Sequence, residues 1–321
     1  MGLLSTDQIA AIAPMAVLKA KGVSFYWASL FLGKHFTNRA ARLYRLCRYL
    51  DDMVDESDSQ QSSRESIVKV NESLALSFSN DVVIQDGLAL IKECGLNKGD
   101  LTELIRGVNS DNELVRVQDQ GALLRYCYQV AGTVGLMMCG VLDSKNPNAG
   151  KFAANLGIAM QLTNICRDIK ADALLNRIYI PADLIDHLDV PALIAPNEHD
   201  QIKVRGAVQA VLELASDHYQ RGELGLAYLP IRARFAILIA ARTYREIGIK
   251  LKRKNFDYWS HRIVVSKPEK WIVTIVALVA AVFCYNFWIP PKSSSQMTSS
   301  LEDPVVLNPS LSFADVTSDA H

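Results

Sequence analysis

Two stretches of the chain carry carboxylates at spacings that matter for chemistry. In NRAARLYRLCRYLDDMVDE (38–56), Asp51 and Asp55 stand four residues apart. On a helix they would project side by side. Tyr44, Arg48, Asp52 and Asp55 form one stripe with Asp51 next to it, beside an apolar stripe of Leu43, Cys47, Leu50 and Val54. Like charges so placed repel by a few tenths of a kcal/mol. A hard divalent cation offsets such repulsion. Mg²⁺ takes one or two protein carboxylates and completes its octahedron with water and phosphate oxygens.

The second stretch is GIAMQLTNICRDIKADALLNRIYIP (157–181). Asn164, Asp168 and Asp172 recur at intervals of four, so three oxygen-bearing side chains share a face. Ile158, Leu162, Ile165, Ile169 and Ala173 make the apolar stripe, Arg167 adjoins the carboxylates, and Arg177 and Tyr179 follow before Pro181. Either motif alone is also what an ordinary solvated helix face shows. Two in one helical domain, each with an arginine beside it, suit the departure of a diphosphate, whose developing charge needs cationic donors. The carbocation left behind needs a dry, apolar pocket. The run VAGTVGLMMCGVL (130–142), where Gly132, Gly135 and Gly140 permit close helix approach, could wall it, though ordinary core packing explains it equally well.

The elements that must position these groups read as helices. Apolar residues recur every three or four positions in 38–55, 83–94, 120–141, 152–175, 203–230 and 232–253. Breakers separate them at 57–65, 96–100, 144–150 and around Pro191–Asp200. Half of the 321 residues are apolar, enough for a large core, and 34 Lys and Arg balance 34 Asp and Glu. That balance, with no nucleic-acid-binding signature, argues against a nucleic-acid partner. The six cysteines form no CxxC pair and read as reduced, buried thiols. The simplest organisation is one all-α domain over 1–270.

Trp271–Ile289 contains 19 residues without a charge. At ~1.5 Å per residue it would extend roughly 28 Å, close to the bilayer's hydrocarbon thickness. It is expected to be a transmembrane helix, with aromatic residues near its ends and a basic segment before it. The positive-inside rule then places the catalytic domain on the cytoplasmic side, and the polar 290–321 reads as a disordered tail. Deleting 271–321 is expected to leave fold and chemistry intact. The opening MGLLSTDQIA lacks the features of a secretory signal and fits a myristoylation pattern at Gly2, one short enough to arise by chance.

SFYWAS (24–29), LYRLCRYLDDMVD (43–55), YCYQVAGTVG (126–135), QLTNICRDIKADALLNRIYIP (161–181), LPIRARFAILIAARTYREIG (229–248) and RIVVSKPEK (262–270) together span most of residues 20–270. In order and spacing they resemble the squalene and phytoene synthase family, which joins two prenyl diphosphates through their C1 ends. The resemblance implies a single isoprenoid-synthase-type helical domain with a central cavity. It implies Mg²⁺, with Mn²⁺ as the alternative, held by Asp51, Asp52 and Asp55 on one side and Asn164, Asp168 and Asp172 on the other. Ser24, Tyr44, Arg48, Arg167, Arg177 and Tyr179 would bind substrate, with Arg48 and Arg167 also catalytic, and Tyr126 would stand near the rearranging cation.

YREIGIKLKR with VVSKPEK, and LTNICRDIKADA, look most like the phytoene synthases of carotenoid pathways. Those use two C20 diphosphates and no NADPH, and a downstream desaturase would be a natural partner. Asn176 departs from the family, many of whose members have Gly there, and the apolar C-terminal segment is commoner in squalene synthases. Enzymes using C15 diphosphates are therefore the nearest alternative. A terpene cyclase fits less well, since YCYQVAGTVG is foreign to it. A non-catalytic relative fits poorly because the aspartates and their arginines are all present.

Overall fold

Polar caps set many of the helix boundaries. In the computed structural model, which describes residues 6–57 and 59–291, side chains of Ser59, Asp81, Asn97, Asp119, Asp189 and Asn197 each accept a first-turn N–H of the helix that follows. Ser266 and Glu269 form a reciprocal capping box. The described helices are α1 (Thr6–Ala11), α2 (Pro14–Lys21), α3 (Val23–Ser29), α4 (Lys34–Asp55) and α5 (Gln60–Leu76). Next come α6 (Val82–Cys94), α7 (Lys98–Ser110), α8 (Gln120–Cys127), α9 (Thr133–Val141) and α10 (Ala149–Leu174). The last are α11 (Val190–Ile194), α12 (Glu198–Glu223), α13 (Ile231–Arg253), α14 (Lys267–Phe283) and α15 (Tyr285–Trp288). No strand forms among the described residues; an isolated parallel bridge joins Arg116 to Ile178.

The caps also explain where the sequence reading placed boundaries wrongly. The serine-rich stretch 57–65 is only partly a breaker, because Ser59 caps a helix that starts at Gln60. Asn97 likewise starts a helix inside the expected break at 96–100, and α11 lies within the expected loop near Pro191. The expected single helix over 120–141 is α8 and α9 joined by a π-helical turn, Tyr128–Gly132.

Helix α10 lies at the centre, with α12, α13, and α9 with the π turn packed around it. One apolar core gathers α4, α6, α7, α9 and the start of α13. A second gathers α8, α10, α12 and the end of α13. Backbones meet closely where α9 crosses α10. A methyl group on Gly135 would sit 2.3 Å from the Ala153 carbonyl oxygen, and one on Gly157 only 2.1 Å from that of Ala131. All six cysteines are free, but only Cys127 and Cys166 are buried; Cys47, Cys94 and Cys139 are partly exposed and Cys284 is exposed.

The expected transmembrane segment is corrected. Among the described residues, no helix is long and apolar enough to cross a membrane. Helix α14 has 17 residues, and extended backbone at Cys284 separates it from the four-residue α15. The physical reason is a committed inner face. Lys270, Thr274, Ala277 and Ala281 are buried, Trp27 Nε1 donates to Thr274 Oγ1 at 3.0 Å, and the rings of Trp27 and Trp271 meet edge-on at 4.8 Å. Gly2 and the expected tail from Lys292 onward lie outside the described residues.

Candidate active site

The two carboxylate helices, α4 and α10, belong to different cores and present their polar stripes to a shared chamber of about 400 Å³. Tyr44, Arg48, Asp51 and Asp55 line it from α4, and Asn164, Arg167, Asp168 and Asp172 from α10. Tyr126 comes from α8, and Arg177 and Tyr179 from the segment after α10. Two expected residues are placed elsewhere. Asp52 is fully buried beside the chamber, ion-paired with Arg48 and, at 3.6 Å, with Lys21. Ser24 is half-buried on α3 next to Phe25, which lines the chamber, but is not itself in the lining.

Asn176 shows how the segment after α10 is aimed. Its φ of 60° is left-handed, a conformation that asparagine tolerates better than most residues, so Gly is not required there. Arg116 donates to its carbonyl and to its side-chain oxygen, both at 2.7 Å. Arg177 then reaches Asp55 Oδ1 at 2.6 Å, and Tyr179 donates to Asp111 Oδ1 at 2.7 Å. Tyr126 donates to the other oxygen of Asp111 at 2.9 Å, and the two tyrosine rings stack with centroids 4.7 Å apart. Asp111 follows α7 as a lone acid with no periodic partner, and the sequence reading did not single it out. Lys21, Gln161, Tyr244 and Arg262 also line the chamber without having been assigned a role. Of these, Arg262 bonds both oxygens of Asp168, at 2.8 and 3.2 Å.

Burial and mutual repulsion dominate the chamber's electrostatics. Burial pushes Asp51 up to about 7 against the pull of Arg48, with Asp55 and Asp111 adding to the rise. Burial, with Asp168 next, pushes Asp172 up to about 8. Asp111 rises to about 6, chiefly by burial and in spite of its two tyrosine donors. Asp168 goes the other way: burial opposes its charge, but hydrogen bonds from Arg167 and Arg262 hold it below the usual carboxylate range. Opposed carboxylates with costly charges are an arrangement that an added cation stabilises.

The chamber opens inward. Phe25, Tyr44, Cys47, Val130, Gln161 and Asn164 line both it and an apolar tunnel of about 250 Å³. Small residues on α9 and α10, among them Gly135, Ala153 and Gly157, form much of the tunnel wall, and Leu142, Phe152 and Leu229 also line it. The π turn lies where chamber meets tunnel, with Tyr126 before it and Val134 after it. Such turns are frequent at functional sites because they redirect side chains within a helix.

Residues 18–269 match the sequence model of the Squalene/phytoene synthase family. The chain belongs to that family. It is a prenyltransferase of the head-to-head type. A phytoene synthase of Pseudescherichia vulneris is 32% identical over 252 residues, 74% of this chain and 80% of that protein. The 15-cis-phytoene synthase of Pantoea ananas is 30% identical, covering 79% of this chain and 86% of its own length. Among solved structures, a ligand-bound dehydrosqualene synthase superposes with a TM-score of 0.76 at 23% identity, over 87% of this chain and 98% of that one. A squalene synthase from Alicyclobacillus acidocaldarius gives 0.65 at 18%, over 78% and 95%. These likenesses establish the isoprenoid-synthase-like all-α fold.

Proposed function

We propose that the chain condenses two geranylgeranyl diphosphates to the C40 hydrocarbon phytoene. The observation that carries this reading is the junction of two volumes of opposite character, a chamber of carboxylates and arginines and a tunnel of apolar and small residues. Diphosphates suit the first and prenyl chains the second. The C20 choice is supported by the phytoene synthase names of relatives near 30% identity.

In this reading Arg48, Arg167, Arg177 and Tyr44 receive the diphosphates. One C1–O bond breaks, the second substrate's double bond attacks C1, and proton loss closes a cyclopropyl-carbinyl diphosphate. That species loses its own diphosphate, rearranges and gives up a second proton. No electron donor enters, so NADPH has no part. Tyr126, held by Asp111, lines the chamber one turn before Val130, which lines both chamber and tunnel; a cation there would be sheltered from water.

Mg²⁺ fits the donor set. Asp51, Asp55, Asn164 and Asp172 offer hard oxygens, and burial has made the charge of Asp51 and Asp172 costly. Among the described residues no three Asp, Glu, His or Cys stand close enough together to hold a metal ion by themselves. An ion here would therefore depend on water and on the substrate's phosphate oxygens for much of its coordination. When bound, it would neutralise charge on the departing diphosphate. Asp168 already accepts from Arg167 and Arg262 and could join only as those arginines turn to the diphosphate.

The test is a product assay with Mg²⁺ that offers geranylgeranyl and farnesyl diphosphate separately, with and without NADPH, beside Asp168→Ala. The expected result is a C40 hydrocarbon made without NADPH and absent in the variant. A C30 product in place of C40 would move the chain to the squalene branch, and no turnover of either substrate would make it a non-catalytic relative.

A further inference from the structure

Helix α14, with the short α15 after it, runs back along α13, from the Lys250–Glu269 ion pair at the start of α14 to the Phe235–Phe287 ring contact in α15. Its inner face is packed. Its outer face is bare: Ile272, Ile275, Val276, Val279, Val282 and Phe283 are each more than half exposed. No charged residue occurs between Trp271 and Pro291. A contiguous row of exposed apolar side chains is the mark of an interaction surface rather than of scattered surface residues.

What surrounds the face identifies what would cover it. Lys252, Arg253 and Lys254, all exposed, end α13 beside the start of α14, and exposed Lys267 opens α14 itself. From Arg245 to Lys270 eight lysines and arginines stand against three carboxylates. Exposed Trp271 and Tyr285 stand at the two ends of the row, the residue types that settle at headgroup depth. An apolar helix face with aromatic ends and a basic margin matches a surface of lipid carrying negative charge.

We infer that the outer face of α14 lies in the plane of a bilayer containing anionic lipid, so that the protein attaches to a membrane without crossing it. Behind that face, Leu278 packs with Ala28, Ile239, Ala240, Phe25 and Met160, and the last three also line the apolar tunnel. One layer of α3 and α13 therefore lies between the tunnel and α14.

This inference goes beyond the proposed reaction, and its test reads binding rather than turnover. The full chain is floated with vesicles of neutral phosphatidylcholine alone and with added phosphatidylglycerol, then washed with alkaline carbonate. Expected are flotation that favours the anionic vesicles, release by carbonate, and at least tenfold weaker binding for Ile275→Glu with Val279→Glu. Lys252→Glu with Lys254→Glu should remove the preference for anionic lipid. Both pairs are exposed, so circular dichroism should be unchanged. No flotation, or flotation indifferent to the Ile275 and Val279 changes, would overturn the inference. Resistance to carbonate would also overturn it, since that marks a span. So would a dimer in lipid-free sedimentation, dispersed by the same two glutamates, without vesicle binding, because a second copy would then be the cover.

Discussion

Arg177 donates to Asp55 at 2.6 Å, linking positions 122 residues apart in the chain. The contact joins the end of α4 to the segment that leaves α10, so one guanidinium spans both carboxylate helices. It also holds, through Nη2, the carbonyl of Asp111 at 3.3 Å.

Replacing Arg177 should therefore hurt catalysis more than stability. The Asp55 side chain is a third exposed, and such pairs contribute only about 0–1 kcal/mol. Loss of a charge-stabilising donor from a reaction site costs on the order of 100-fold in turnover. Arg177→Ala should show that drop in steady-state kinetics with a nearly unchanged urea midpoint.

Asp111→Ala should do both kinds of damage. It leaves the hydroxyls of Tyr126 and Tyr179 without their shared acceptor, at about 1–3 kcal/mol for each buried group left unsatisfied. Urea unfolding should register that loss, and kcat should fall further than KM rises, because Tyr126 would no longer be held in place.

The metal-free protein should grow less stable as pH rises. Asp51 and Asp172, pushed up to about 7 and about 8, keep protons that the unfolded chain releases near its ordinary 3.8. The folded state therefore binds more protons over that range. Stability is greatest at its acid end and declines as pH rises towards the folded values. Urea midpoints at about pH 5.5, 7 and 8.5 should show the decline. Asp172→Asn should flatten it, and added Mg²⁺ should flatten it too if the ion binds there.

Filling the tunnel should discriminate by chain length. Ala153 lines the wall on α10, and Ala153→Leu would narrow the lumen without adding charge. The expected outcome is a larger fall in kcat/KM for geranylgeranyl than for farnesyl diphosphate. An equal fall for both would mean that this wall does not measure the chain.

A chain ending at Lys270 should lose stability, contrary to the sequence-based expectation that removing 271–321 leaves the fold intact. Trp27 would lose its Thr274 acceptor, and Phe287, worth about 1.5–3 kcal/mol when fully buried, would be gone. A melting temperature lower by several degrees would show it.

Asp51, Asp55, Asn164, Asp168 and Asp172 were legible because each set repeats at helical spacing beside an apolar stripe, and a helix converts that spacing into a shared face. Asp52, expected alongside the first pair, is not in the chamber lining. It is buried behind the lining, paired with the chamber residues Arg48 and Lys21, and nothing in the local pattern announces the pairing with Lys21 of α2. Asp111 was invisible for a related reason: its role comes from two tyrosines that the fold brings to it. The apolar segment after Lys270 misled because a hydropathy window averages all faces. Lys270, Thr274, Ala277 and Ala281, spaced four, three and four, already traced a packing seam there. The all-α fold needed only periodicity and caps, whereas the π turn leads from Tyr128 and Gln129 into the apolar run 130–142, which gives little phase to lose.

That turn makes the site sensitive to insertion and deletion. Each helical residue advances about 100° around the axis, so one residue more in a turn rotates everything beyond it by that angle. Shortening Tyr128–Gly132 by one residue would keep every side chain the reaction needs. It would nevertheless swing Tyr126 and Val134 out of their common alignment. Homologues should therefore tolerate substitutions in this segment far more readily than changes in its length.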